Sequence, residues 1–328
     1  MSTIAPGTID LHTHVYPRAL DRWPAPAGDS RWPCMTCESE TRATIARGGA
    51  LYRVIDERCW DLERRLDDMG NDGVAFQLLS PTPVTFAYDS APAATDAFAR
   101  AHNEAIAAYV RERPASFAGL GTVALQDVDR ACAEVERCRS ELGLHGVEIG
   151  TIAGEWTIDD PRYDAFWATC ERTNATVFVH PEATLAPERF ARRRMVYSTG
   201  YPSETGTTAV ALLLAGLFER HPALRVLLAH GGGTLPWLVA RNDRVWGAFE
   251  DARDATTIAP SVAAKNFWLD SMVNDATNVR YLVDRLGADR LVVGSDYPFP
   301  IGEFPAGASV PDDLRERVRD NALRFLRG

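Results

Sequence analysis

Short apolar runs rich in Val, Ile and Leu recur along this chain with helical stretches between them. Eight can be counted: Thr8–His14, Val74–Ser80, Phe117–Leu125, Gly146–Thr151, Thr176–His180, Arg225–His230, Phe267–Met272 and Arg290–Asp296. A strand that reads as a nearly continuous apolar run is buried on both faces, as in a parallel sheet covered by helices. The intervening segments read as those helices. Ala94–Arg111 is rich in Ala and ends shortly before Pro114, Asp127–Glu141 alternates acidic and basic residues, and Ser203 is a candidate N-cap for Glu204–Arg220. Eight such units in 328 residues predict an α/β chain folded as a (β/α)8 barrel of the TIM type, which needs about 250 residues. A doubly wound open sheet is the alternative. No linker interrupts the pattern, so residues 1–328 are expected to form a single domain.

Residues 15–70 stand apart. Roughly 60 residues separate the first two runs, more than a loop and a helix require, and Trp23–Gly49 is rich in Pro, Gly, Ser and Arg. This stretch is expected to be an insertion covering the barrel mouth.

In such barrels the functional groups sit at the carboxyl ends of the strands. The first run ends in Asp10-Leu-His12-Thr-His14, the fifth in His180, the sixth in His230 and the eighth in Asp296. The period of two along a strand puts His12 and His14 on one face, both able to reach one ion. His180 and Asp296 add a third nitrogen and a carboxylate from across the barrel, leaving a coordination position open for water or substrate. Each histidine alone is equally well read as a structural residue, and the agreement of the strand ends is what favours the metal. His102, inside a helix, His145, before a strand, and His221, before Pro222, are expected to be structural.

Composition narrows the chemistry. A net charge of −10 argues against nucleic acid or an anionic membrane as partner, and no apolar run or leader-like start suggests a membrane span or export. Six scattered cysteines read as reduced thiols in the cytoplasm. Of the 35 basic residues only Lys265 is a lysine, and it precedes the seventh run, at the wrong end of the barrel. A lysine-bridged binuclear centre or a Schiff base is therefore not available, and the fourth run ends in Glu148-Ile-Gly-Thr151. One metal per chain is the simpler expectation.

The motifs Ile9-Asp-Leu-His-Thr-His14, Val179-His-Pro181, Ala229-His-Gly-Gly-Gly233 and Gly294-Ser-Asp-Tyr-Pro-Phe-Pro300 resemble the amidohydrolase superfamily, and within it the decarboxylase branch. Tyr52-Arg53, Cys59-Trp60-Asp61, Arg65, Met69 and Thr82-Pro83-Val84 extend the similarity to the aminocarboxymuconate-semialdehyde decarboxylase family, from the first strand to the last helix. The resemblance implies that His12, His14, His180 and Asp296 bind one divalent metal, most often Zn2+ with Mn2+ as the other option, and that His230 is the acid/base acting on metal-bound water. It implies that Arg53 binds a substrate carboxylate and that Arg241 reaches the neighbouring subunit's site, hence a homodimer. A further family arginine appears here as Phe249, with Arg244 and Arg253 nearby, which points to a substrate with fewer or differently placed carboxylates.

The expected activity is non-oxidative decarboxylation of a small unsaturated or aromatic carboxylic acid. A hydrolase or hydratase acting on a lactone, amide or unsaturated acid is the alternative, because one metal site serves either chemistry. A barrel that only binds a ligand is disfavoured by the full ligand set. Cys34-Met-Thr-Cys37 lacks a second pair and is discounted as a metal or redox motif. Gly231-Gly232-Gly233 is read as a tight turn beside His230 rather than a phosphate cradle. Trp60 and Trp156 are candidate stacking residues for a planar substrate.

Overall fold

The structure, a computed structural model, describes residues 4–327. All the predicted runs form parallel strands, several of them shorter than expected. They are β1 (Thr8–Val15), β2 (Val74–Pro81), β3 (Phe117–Gly119), β4 (Gly146–Ile149), β5 (Thr176–Val179), β6 (Arg225–Leu228), β7 (Trp268–Asp270) and β8 (Leu291–Val292). A long helix separates or follows each: α1 (Leu62–Asp72), α2 (Pro92–Glu112), α3 (Val128–Ser140), α4 (Asp164–Arg172), α5 (Tyr201–Leu214), α6 (Leu235–Ala248), α7 (Ala276–Leu286) and α8 (Asp312–Arg327). The chain is thus an α/β protein built on parallel sheet, β1-β2-β3 in one part and β4 through β8 in the other. Isolated parallel bridges join the two parts at both seams, Gly121 to Val147 and Asp10 to Val293.

Local chemistry sets most of the boundaries. Asp61 caps α1 by accepting from the backbone N–H groups of Glu63 and Arg64, and Gly73 ends it in the left-handed conformation at φ 69°. Asp127 caps α3 through Arg130 N, and the helix falls within the expected Asp127–Glu141. The expected helix Glu204–Arg220 is corrected: Ser203 makes no cap, the helix begins at Tyr201 with Pro202 in its first turn, and it ends at Leu214 before Gly216 at φ 72°. A short turn of helix, Leu217–Arg220, follows.

Three apolar clusters hold these elements. One lies between the strands and the surrounding helices, with Val147, Val177, Val179, Val226, Leu228 and Leu269 facing Phe166, Trp167 and Leu212. The second gathers Ile9, Leu11, Phe76, Leu78, Phe178, Leu227 and Trp268 around Phe325 of α8. The phase of β1 differs from simple alternation. Its register against β2 slips between Asp10 and Thr13, so Leu11 and His12 together oppose Leu78. Such a bulge re-aims side chains. Here Leu11 joins the apolar floor while His12 and His14 still converge above it, with Phe178 4.9 Å from the His12 ring.

The third cluster belongs to residues between β1 and α1. No strand was expected within them, yet Pro33–Cys37, Arg42–Arg47 and Ala50–Asp56 form a three-stranded antiparallel sheet. The last two strands turn at Gly48 and Gly49, both at positive φ (63° and 73°), as a tight hairpin requires. Trp32, Met35, Ile45 and Trp60 of this segment pack with Tyr16 and with Phe98 of α2. Phe178→Ala removes the fully buried ring under the histidines, and a loss of about 3–5 kcal/mol in denaturant unfolding is expected.

Candidate metal centre and cavity

Above the apolar floor the strand ends bring together what the sequence reading grouped. One donor atom from each of His12, His14, His180 and Asp296 lies within 4.8 Å of the others, and all four residues are buried. His12 Nε2 and His14 Nε2 stand 3.1 Å apart. Asp296 Oδ1 is 3.0 Å from His14 Nε2 and 3.5 Å from His12 Nε2. The His180 and His14 ring centres are 4.9 Å apart. His14 Nδ1 lies 3.0 Å from Pro81 O and His180 Nδ1 2.9 Å from Pro181 O, which turns each Nε2 toward the common centre.

These donors are incompletely satisfied by the protein. His180 Nε2 and Asp296 Oδ1 are buried with no hydrogen-bond partner. Burial and the neighbouring imidazoles push His180 well below its usual pKa, leaving it neutral. Burial would raise the Asp296 carboxyl, yet the His12 and His14 rings beside it hold it well below the carboxylate range. Three nitrogens and an ionised oxygen facing one point, two of them orphaned, fit a divalent cation.

Two carboxylates that the sequence reading left without a role organise the site. Asp10 Oδ2 accepts the Ser295 hydroxyl at 2.6 Å, and Oδ1 accepts the backbone N–H groups of Ser295 (3.1 Å) and His12 (3.2 Å), tying the end of β1 to the chain before Asp296. Asp270 Oδ2 lies 2.6 Å from His12 Nδ1. The signal for both was available: each is an acidic residue inside a buried apolar run, where an unpaired charge is not tolerated. Gly294 makes their approach possible, since a Cβ there would lie 2.7 Å from the Cβ atoms of both His12 and Asp270. Arg65, fully buried, donates to the His14 carbonyl at 2.5 Å and to Gln77 Oε1 at 3.0 Å, fixing the other end of the motif. Glu148 on β4 lies behind, 3.7 Å from His14 Nδ1, and burial raises its carboxyl well above the usual range.

His230 does not end a strand. β6 stops at Leu228, and His230 sits in a turn with φ 57° followed by Gly231 at 63°. Its ring centre is 5.1 Å from that of His180 and 5.4 Å from that of His12, and burial lowers its pKa to about 4. It is therefore a neutral imidazole beside the donor cluster. The glycines after it form a tight turn, as expected, with Gly233 so close to Pro202 that a Cβ would meet its carbonyl oxygen at 2.0 Å.

A cavity of about 1220 Å³ opens over the cluster, lined by His180, His230 and Asp296 below and by Tyr52, Arg53 and Tyr197 at its sides. The Arg53 guanidinium stacks 4.2 Å over the Phe299 ring and donates to Tyr197 Oη at 3.3 Å. Among the described residues it has no carboxylate within ion-pair distance. Arg241 lies exposed on α6 and does not line this cavity, and Phe249 is exposed at the end of the same helix. Trp60 and Trp156 are corrected as stacking candidates: Trp60 is buried in the antiparallel segment and Trp156 lies under Arg162, so the aromatic walls are Tyr52, Tyr197 and Phe299. Lys265 is exposed before β7, and His102, His145 and His221 stay outside the cavity. Cys34 and Cys37 are free thiols on the first antiparallel strand.

Known proteins share this arrangement of chain. A 2-amino-3-carboxymuconate-6-semialdehyde decarboxylase of Dictyostelium discoideum is 33% identical over 97% of this chain and 91% of its own. The crystal structure of 5-carboxyvanillate decarboxylase from Sphingomonas paucimobilis superposes with a TM-score of 0.81 at 25% identity, covering 98% of this chain and 99% of that one. A dihydroxybenzoic acid decarboxylase from Polaromonas sp. JS666, solved with bound manganese and the inhibitor 2-nitroresorcinol, superposes with a TM-score of 0.79 at 21% identity, over 98% and 97% of the two chains. The family model described as amidohydrolase matches residues 9–328, and this chain belongs to that family.

Proposed function

We propose that this protein is a metal-dependent carboxy-lyase that decarboxylates a small unsaturated or aromatic carboxylic acid without an oxidant. The observation that carries the reading is the convergence of His12, His14, His180 and Asp296 at the floor of a cavity whose wall bears an arginine free of any carboxylate partner among the described residues. The names of the relatives support the same class. The eight parallel strands, bridged at both seams, support a single (β/α)8 barrel domain, with residues 15–70 as an insertion over its mouth.

The four donors would hold one divalent ion. Zn2+ suits three imidazoles and a carboxylate, and Mn2+ is the second choice, the ion bound in the Polaromonas relative. Such an ion supplies Lewis-acid polarisation and brings the pKa of a bound water down to about 7. The remaining work falls to the chain. The planar Arg53 guanidinium pairs with the substrate carboxylate through two parallel hydrogen bonds, and Tyr197 and Phe299 fix its orientation. As the bond to the carboxyl carbon breaks, its electron pair passes into the conjugated system, carbon dioxide departs, and the carbon left behind takes one proton. His230 is placed to deliver it. Its ring is neutral near pH 7 and its Nδ1 has no partner, so the ring can accept and return a proton.

Arg241 is read as serving the site of a second copy in a homodimer. Trp237 and Phe249 on the same helix, 76% and 57% exposed, supply apolar surface of the kind a partner subunit covers. In the described residues no helix is long and apolar enough to cross a membrane. The six free cysteines suit a reducing cytoplasm.

Purified protein assayed for metal content and for carbon dioxide release across unsaturated and aromatic carboxylic acids should give one metal per chain and gas evolution that a chelator abolishes. Metal without carbon dioxide, but with lactone or amide turnover, would transfer the assignment to hydrolysis. His230→Ala should keep its metal while kcat falls by about 10²–10⁴. Arg53→Ala should raise KM for the acid, with Arg53→Lys recovering only part, because a point charge cannot replace two parallel hydrogen bonds. Mixing Arg241→Ala with His230→Ala chains should restore activity, since one site of the mixed dimer is then complete; no recovery would place Arg241 outside the reaction.

A further inference from the structure

We infer that Asp270 is a positioning residue shared by the metal ligand His12 and the base His230, holding both in their working geometry through one carboxylate. The inference rests on the metal-site reading above. Asp270 is buried and accepts at both oxygens. Oδ2 faces His12 Nδ1 at 2.6 Å and His230 N at 2.9 Å, while Oδ1 faces Gly231 N at 2.7 Å and Met272 N at 3.1 Å.

Each contact has a directional consequence. An ionised carboxylate only accepts, so the proton of neutral His12 sits on Nδ1 and the lone pair of Nε2 is left pointing at His14 Nε2, 3.1 Å away, in the ligand cluster. The same carboxylate sits in a nest of consecutive N–H groups from His230 and Gly231, both at left-handed φ (57° and 63°). That conformation is unusual for histidine, and the turn it makes is what carries the His230 ring back over the cavity instead of along β6. Gly231 cannot be replaced by a side chain to achieve this, because a Cβ would come 2.4 Å from Val273 Cγ1. One anion from β7 therefore links a ligand from β1 to the base after β6.

Asp270→Asn is the informative substitution because it preserves shape and removes one acceptor. With the amide nitrogen toward His12, the imidazole is driven to carry its proton on Nε2, blocking the ligand centre; with the nitrogen toward Gly231, the turn loses its anchor. Affinity for Zn2+ and Mn2+ is measured by chelator competition, and thermal unfolding of both metal-free proteins checks folding. A fall in affinity of about 10–100-fold with cooperative unfolding retained is expected. At saturating metal, kcat should fall at least about tenfold with KM within about twofold of the parent, the split that a misplaced proton carrier gives. Affinity within about twofold of the parent, or unchanged kcat at saturating metal, overturns the shared role. If the variant fails to fold, nitrogen-15 NMR of the metal-loaded parent decides: a far-downfield proton on His12 Nδ1 supports the inference, and a proton on His12 Nε2 overturns it. A parent that binds neither metal removes the metal reading itself, a result distinct from a parent that binds and an Asn variant that binds equally well.

Discussion

Burying three imidazoles and a carboxylate around one point is costly in water-free surroundings, and that cost organises the rest of this molecule. Each uncompensated buried charge opposes folding by several kcal/mol, so such donors call for a compensating charge and for neighbours that pair most of the remaining polar atoms. The second condition is visible in detail. His14 and His180 place their Nδ1 atoms near backbone carbonyls, His12 lies against Asp270, and Asp10 is saturated by Ser295 and the His12 backbone. Among the atoms left unsatisfied, His180 Nε2 and Asp296 Oδ1 belong to the donor cluster itself, and His230 Nδ1 and the Glu148 carboxyl oxygens lie beside it.

The fold meets this demand by dividing labour along each strand. Side chains low in the parallel sheet, Ile9, Phe76, Phe178, Leu227 and Trp268, pack as apolar floor with Phe325, while residues at or just beyond the carboxyl ends supply the donors. The slip in β1 between Asp10 and Thr13 reconciles the two, letting Leu11 remain in the floor while His12 and His14 turn to the site. Asp296 gains its position by leaving the strand, at φ 60°, so that its carboxylate turns toward the histidines.

Much of this was legible beforehand because buried parallel strands are nearly pure in Val, Ile and Leu, so a His or Asp at their ends stands out. The four candidate donors were picked out on that contrast, and the structure brings them together. Asp270 was passed over because a single acidic residue beside Leu269 and Ser271 signals only that it needs a buried partner, with no repeat or pairing to say which. The antiparallel strands were hidden for another reason. Polar and small residues on half-exposed strands, such as Arg42-Ala-Thr-Ile-Ala-Arg47, carry only a weak alternation, and the Pro and Gly around them interrupt it. Ser203 failed as a cap because Pro202, with its fixed φ, already opens the helix.

The antiparallel sheet and the ligand cluster are joined at two places, and both joints end beside a ligand. Phe299 lies between Arg53, stacked 4.2 Å above it, and His14, whose ring centre is 5.4 Å away at an interplanar angle of 29°. Arg47, on the middle antiparallel strand, is ion-paired to Glu182, two residues beyond His180, and also to Asp89 at 3.2 Å. Glu182 is itself drawn into place by Tyr201, whose hydroxyl donates to its backbone carbonyl at 3.1 Å. An arginine that selects a carboxylate must stand at a fixed height above the reacting centre, because small displacements forfeit much of the benefit of orientation. A long segment held only at its two ends could not guarantee that height. Pinned through Phe299 to His14 and through Glu182 to the strand of His180, Arg53 takes its position from the same residues that gather the candidate donors.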